Sequence, residues 1–195
     1  MKNSSGNPSS FSSENKNGHI KECIVQYKEL AGIFREKGEL LKASEIYEKV
    51  IALQPEDTEI LLALGRLYRE MGKFDCAINA FQLILRYDLL NIQALTESGL
   101  TFQETGNIIM AILTFKQVLK INPEEAEIYE KLGELYLIMG HIEESVKSYL
   151  NAAEIYLRQE LKDNVIQMCD IIINIAPENY RARRMLKDIG YNHSG

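Results

Sequence analysis

Three cysteines, three histidines and two clusters of glutamates are the side chains in this 195-residue sequence whose types could do chemistry. Cys23, Cys76 and Cys169 are odd in number, widely spaced and without any CxxC pair, which speaks against a disulfide framework or a zinc site and for a reducing compartment. Cys169 stands at a core spacing and Cys76 beside one, so both read as inert thiols rather than nucleophiles. His19, His141 and His193 lie far apart and join no HExxH or mixed Cys/His cluster. The acidic groups Glu124, Glu125, Glu127 and Glu143, Glu144 lack the alternating oxygen ligands of a calcium loop and read as surface acids. These residues therefore predict no catalytic constellation, no metal and no cofactor, and a protein that is not an enzyme.

The glycines are accounted for by position rather than by phosphate binding, because Gly38, Gly72, Gly106 and Gly140 recur at a fixed interval of thirty-four residues. Within the stretch from Thr58 to Asn91, Leu64, Gly65, Tyr68, Ala77 and Phe81 keep the same interval. They return as Ser98, Gly99, Phe102, Ala111 and Phe115, then as Leu132, Gly133, Tyr136, Ser145 and Tyr149. One step back they are Leu30, Ala31, Phe34, Ala43 and Tyr47. A constant period of this length is the mark of a stacked repeat. Leu61, Leu64, Gly65 and Tyr68, at offsets of three, four and seven, share one face of a first helix. Gly72 ends that helix, and Ala77, Phe81 and Ile84 restart the helical spacing beyond it. Small residues at Gly65 and Ala77 let the two backbones approach, with Tyr68 and Phe81 as wedges between them.

At these positions the sequence resembles the tetratricopeptide repeat family, whose first helix carries a large residue, Leu, Gly or Ala, and Tyr. Its second helix carries Ala, an aromatic, a further Ala and a closing Pro. Tyr27, Leu30, Ala31, Phe34, Ala43, Tyr47 and Pro55 follow that pattern in the first copy, with Val50 at the second small site. The resemblance implies an all-α fold, a right-handed α-solenoid of stacked antiparallel helix pairs.

The chain then divides into a Ser/Asn-rich arm at residues 1–18, expected to be disordered, one solenoid domain at 19–190, and a short tail at 191–195. The repeats fall at about 24–57, 58–91, 92–125 and 126–159, with the leading helix starting near Ile20. Pro55 and Pro123 close two of the repeats, and Leu89 stands where the second would have its proline. Ser98 at the usual leucine site predicts a slightly looser third repeat. Pro177 follows Pro123 by fifty-four residues, fourteen short of two periods, so one helix is dropped and a degenerate unit runs over 146–179. The helix from about Ile142 to Gln159 would serve both the fourth and this fifth unit, in which Val165 and Cys169 depart from the family pattern. An amphipathic helix at 178–189 would cover the end, as solenoids require. Its Arg181, Arg183, Arg184 and Lys187 read as a solvated face, with a phosphate or an acidic partner as the functional alternative.

A net charge of −6 lacks the basic excess of a duplex-binding protein, so no nucleic-acid role is expected. No stretch is long and apolar enough for a secretory signal or a membrane span, which predicts a cytoplasmic protein without membrane insertion. Function then falls to surfaces. The resemblance implies a concave groove lined by the first helices, and carried onto this sequence its residues include Lys28, Arg35, Leu62, Arg66 and Arg69. Leu100, Gln103, Glu130, Glu134, Leu137, Ile138 and Glu154 continue it, with Leu150 and Leu157 extending the wall. The groove would be basic near the first two repeats, acidic around Glu130 and Glu134, and apolar at Leu100, Leu137, Ile138 and Leu157. The family's carboxylate clamp for heat-shock tails matches only at Lys28, since Gly32, Ala63, Gln93 and Glu97 occupy its other places. The exposed leucines suit a partner's peptide or amphipathic helix instead. This reads as a cytosolic adaptor or assembly factor. A small secretion-type chaperone for hydrophobic clients and a self-assembling scaffold, in which the fourth and fifth units dock into a neighbour's groove, are the alternatives.

Overall fold

In a computed structural model the backbone is described for residues 8–191 and the side chains for residues 21–191. The described residues form α-helices joined by short turns, in two compact units that divide between Leu89 and Leu90. That division falls where the second repeat has Leu89 instead of a closing proline.

The first unit holds α1 (Pro8–Glu36), α2 (Leu40–Leu53), α3 (Thr58–Glu70) and α4 (Phe74–Tyr87). Its helices pair as α1 with α2 and α3 with α4, and α2 packs on α3. The leading helix begins at Pro8 rather than near Ile20, inside the stretch expected as a disordered arm. Proline suits the first helical position because its missing N–H has no partner there in any helix. Residues 1–7 of that arm lie outside the described residues. The core of this unit includes Ala31, Ala43, Tyr47, Val50, Ile60, Leu64 and Leu67, residues that the thirty-four-residue period selects and their neighbours in register, and the fully buried Ala77, Phe81 and Ile84 of α4.

The second unit holds α5 (Ile92–Glu104), α6 (Ile108–Ile121), α7 (Ala126–Ile138), α8 (Ile142–Arg158), α9 (Lys162–Ile175) and α10 (Tyr180–Asp188). Here α5 pairs with α6, α6 packs on α7, and α7 pairs with α8. The longer α8 also pairs with α9, which in turn carries α10. Thus α8 is the second helix of one pair and the first of the next. Its Ala152, Ala153 and Tyr156 are buried with Val165, Cys169 and Ile172 of α9 and with Ala182 and Leu186 of α10.

Close approach within pairs is set by the missing side chains. A Cβ placed on Gly65 would stand 2.4 Å from Cε1 of Phe81, and one on Gly99 would stand 2.5 Å from Cε1 of Phe115. The aromatic rings therefore rest on bare backbone. Ser98 is buried but not orphaned, because its hydroxyl donates to the Ala94 carbonyl at 2.7 Å. Ser145, at the alanine site of α8, donates across the pair to the Gly133 carbonyl at 2.8 Å.

The turns inside the pairs share one geometry. Gly72 takes φ 70°, its N–H bonds Arg69 O at 2.9 Å, and the Lys73 N–H bonds Tyr68 O at 2.8 Å. Between α8 and α9 the same pair of bonds forms from Glu160 to Leu157 and from Leu161 to Tyr156, but the left-handed residue is Glu160, φ 61°. A side chain costs about 1–2 kcal/mol in that conformation, more than the roughly 0.5–1 kcal/mol that glycine loses in chain entropy. Glu160→Gly is therefore expected to stabilise the protein by about 0.5–1 kcal/mol, read as a higher urea midpoint.

Candidate functional site

First helices leave one stripe facing away from the packing residues, and in α7 that stripe is Glu127, Glu130, Glu134, Leu137 and Ile138, spaced by three and four. In α5 the same register presents Thr96, Leu100, Gln103 and Glu104. The structure joins the two stripes directly, because Nε2 of Gln103 donates to Glu134 at 3.3 Å. Glu134 also receives Lys131 Nζ at 3.1 Å on both of its oxygens. The Gln103 amide oxygen is enclosed without a donor among the described residues.

Behind this row, the Tyr156 hydroxyl of α8 donates to Glu130. Tyr149 packs its ring against Gly133, and burial, assisted by the charges of Glu134 and Glu130, pushes its hydroxyl up to about 12. Burial and the bond to Glu130 likewise raise Tyr156 far above the ordinary tyrosine range. Two hydroxyls held neutral therefore stand beneath the Glu130 and Glu134 row. Glu154 is tied to Arg181 of α10 and so faces the last helix rather than an open groove. The margin of the row is apolar, with Ile138 at 67% and Leu137 at 38% exposure and Leu100 half-buried.

The sequence-predicted residues of the first unit have a different fate. Lys28 is spent within the protein, bridging Asp57 at 3.0 Å and Glu59 at 3.1 Å. Its partial burial pulls the ammonium down, but the bonds to Asp57 and Glu59 outweigh this and leave it raised. Asp57 is itself the N-cap of α3, accepting from the Ile60 N–H at 3.1 Å, so the ion pair braces a helix start. Leu62, expected on the open groove, is buried at 7% exposure; α3 is flanked by α2 and α4, and its side chain is enclosed. Leu150 is buried for the corresponding reason in α8, a helix packed on both sides. Arg35 and Arg66 are exposed and Arg69 is half-buried, and both Arg66 and Arg69 have partners. A basic first half of the groove is thus weakened by Lys28, and the residues the structure gathers are those of the second unit.

The remaining reactive side chains are placed plainly. Cys169 is buried and its thiol is pushed up to about 11, first by burial and then by Asp170. Cys76, expected beside the core, is exposed, as is Cys23. His141 stacks on Tyr136 with ring centroids 6.3 Å apart. His193 lies outside the described residues, and so does the side chain of His19. Among the described residues no three His, Cys, Asp or Glu side chains are grouped to hold a metal ion, and no helix is long and apolar enough to cross a membrane.

Stacked helix pairs with a wedge aromatic, a small partner and a left-handed glycine turn define a helical repeat protein. The chain belongs to the tetratricopeptide repeat family, whose description matches residues 34–96, 92–125 and 126–159. A curated relative, the BBSome complex member BBS4 of Bos taurus, is 46% identical over 50 residues, which are 26% of this chain and 10% of that protein. A crystal structure of the MamA protein is 24% identical with a TM-score of 0.70, covering 86% of this chain and 90% of that one. MamA from Desulfovibrio magneticus RS-1 gives 0.68 at 15% identity, over 86% and 93% of the two chains. YrrB, described as a TPR protein with an unusual peptide-binding site, gives 0.55 at 19% identity, over 83% and 90%. At these identities the structural likeness is one of fold.

Proposed function

We propose that this protein is a non-catalytic, cytosolic adaptor that holds a partner's amphipathic, lysine- or arginine-bearing helix on the row formed by α5 and α7. One observation carries this reading. Glu127, Glu130 and Glu134 share a single stripe with Leu137 and Ile138, and Leu100 and Gln103 lie alongside, joined to it at Glu134. A helix laid there would place apolar residues on the leucines and cations on the glutamates. An incoming ammonium could replace Lys131 at Glu134 and supply a donor to the enclosed Gln103 oxygen. The peptide-binding site of YrrB supports the general mode, since that protein shares the fold.

The test uses a displayed library of amphipathic helical peptides carrying either basic or acidic polar faces. Basic members should be enriched on the wild-type protein. The Leu137→Glu, Ile138→Glu variant, whose substitutions lie at exposed positions, should bind them at least about tenfold more weakly, a change of about 1.4 kcal/mol, with its helical circular dichroism unchanged. Equal enrichment of acidic and basic peptides, or equal binding by the variant, would defeat the reading.

A further inference from the structure

The first and last helices carry outward stripes of opposite charge. On α1 the stripe opposite the buried Ile24 and Ala31 consists of Glu22, Val25, Gln26, Glu29, Ile33 and Glu36, with three glutamates at intervals of seven. It is not simply polar, because Val25 is 54% and Ile33 46% exposed. On α10 the stripe opposite the buried Ala182 and Met185 consists of Tyr180, Arg183, Arg184 and Lys187. Tyr180 is 74% exposed. Arg184 reaches Asp188 only at 3.7 Å between largely exposed side chains, a contact too weak to occupy it. Neither helix has a second large packing neighbour: α1 rests on α2, and α10 rests on α9.

We infer that the α10 stripe of one copy docks on the α1 stripe of another, joining copies head to tail. Charge complementarity names this occupant. The basic residues Arg183, Arg184 and Lys187 would meet a stripe carrying Glu22, Glu29 and Glu36, and Tyr180 offers an exposed ring to the exposed Val25 and Ile33. A merely protective cap, such as repeat proteins place at their ends, explains the polar face of α10. It leaves the aliphatic residues of α1 uncovered. The two surfaces differ, so each contact pairs the last helix of one copy with the first helix of another.

The full chain is examined by analytical ultracentrifugation over a range of concentrations and salt. The weight-average mass should rise to at least twice that of the monomer as concentration increases and fall again with added salt, since the contact is largely ionic. Glu22→Lys with Glu29→Lys, and separately Arg184→Glu with Lys187→Glu, should each return the protein to monomer mass. All four sites are exposed, and circular dichroism checks that both variants stay folded. An equimolar mixture of the two variants should regain the mass of the wild type, because each reversed face then meets its opposite. A wild type that stays monomeric at every concentration, reversals that leave assembly unchanged, or a mixture that fails to recover would each overturn the inference.

Discussion

Phe115→Ala is expected to lower stability by about 3–5 kcal/mol, the range for deleting a fully buried aromatic ring. The upper part of that range applies for a local reason. The ring is completely buried and lies on Gly99, whose absent side chain leaves nothing that could swing into the vacated space. Small domains are stable by roughly 5–15 kcal/mol, so one ring represents a large share of the total. Urea unfolding should show a lower midpoint with an unchanged slope. Adding Gly99→Ala to Phe115→Ala should recover part of the loss by placing a methyl in the hole, whereas in the wild type the same methyl would collide with the ring. Ala31 beside Tyr47 shows that the fold accepts such a methyl when the pair is arranged for it. A single-variant cost below about 1 kcal/mol would mean that the helices collapse onto the gap, contrary to this account of the wedge.

The second large effect is alkaline. Cys169 is raised from 9.0 to about 11 by burial and Asp170, and Tyr149 from 10.0 to about 12 by burial and the charges of Glu134 and Glu130. Both groups are held neutral more strongly in the folded protein than in the unfolded chain. Their contribution is complete below the unfolded values and is lost as pH rises through the folded ones. Stability should therefore hold steady up to about pH 9 and fall between pH 9 and 12. Each group contributes on the order of 2–3 kcal/mol over that window. Urea midpoints measured across it should flatten in the lower half for Cys169→Ala and in the upper half for Tyr149→Phe. A wild-type midpoint that stays level to pH 12 would contradict the burial of both groups.

The repeat was legible in the sequence because its residues answer local demands. A left-handed turn favours glycine, and a close crossing favours a small residue opposite an aromatic, so Gly72, Ala77 and Phe81 reveal their surroundings without any knowledge of the rest. The fourteen-residue deficit before Pro177 was legible in the same way. The candidate row was only partly so. Helical register tells which way Leu62 points, but not that its neighbours enclose it. It cannot show that Lys28 is committed to Asp57 and Glu59, about thirty residues away, or that Tyr156 reaches Glu130. Glu160 escaped notice because nothing in a glutamate advertises a left-handed backbone; only its place, where the other turns have glycine, could have flagged it.

The double membership of α8 has a consequence for how the chain can be edited. An array of independent repeats can be lengthened or shortened by splicing out one whole period, since the cut ends present the same surfaces again. Removing residues 126–159 here would also take away the partner on which α9 rests, leaving Val165, Cys169 and Ile172 without the helix they are buried against. The stretch from Ala126 to Asp188 therefore has to be moved as a block if α9 and α10 are to keep the helix they pack against.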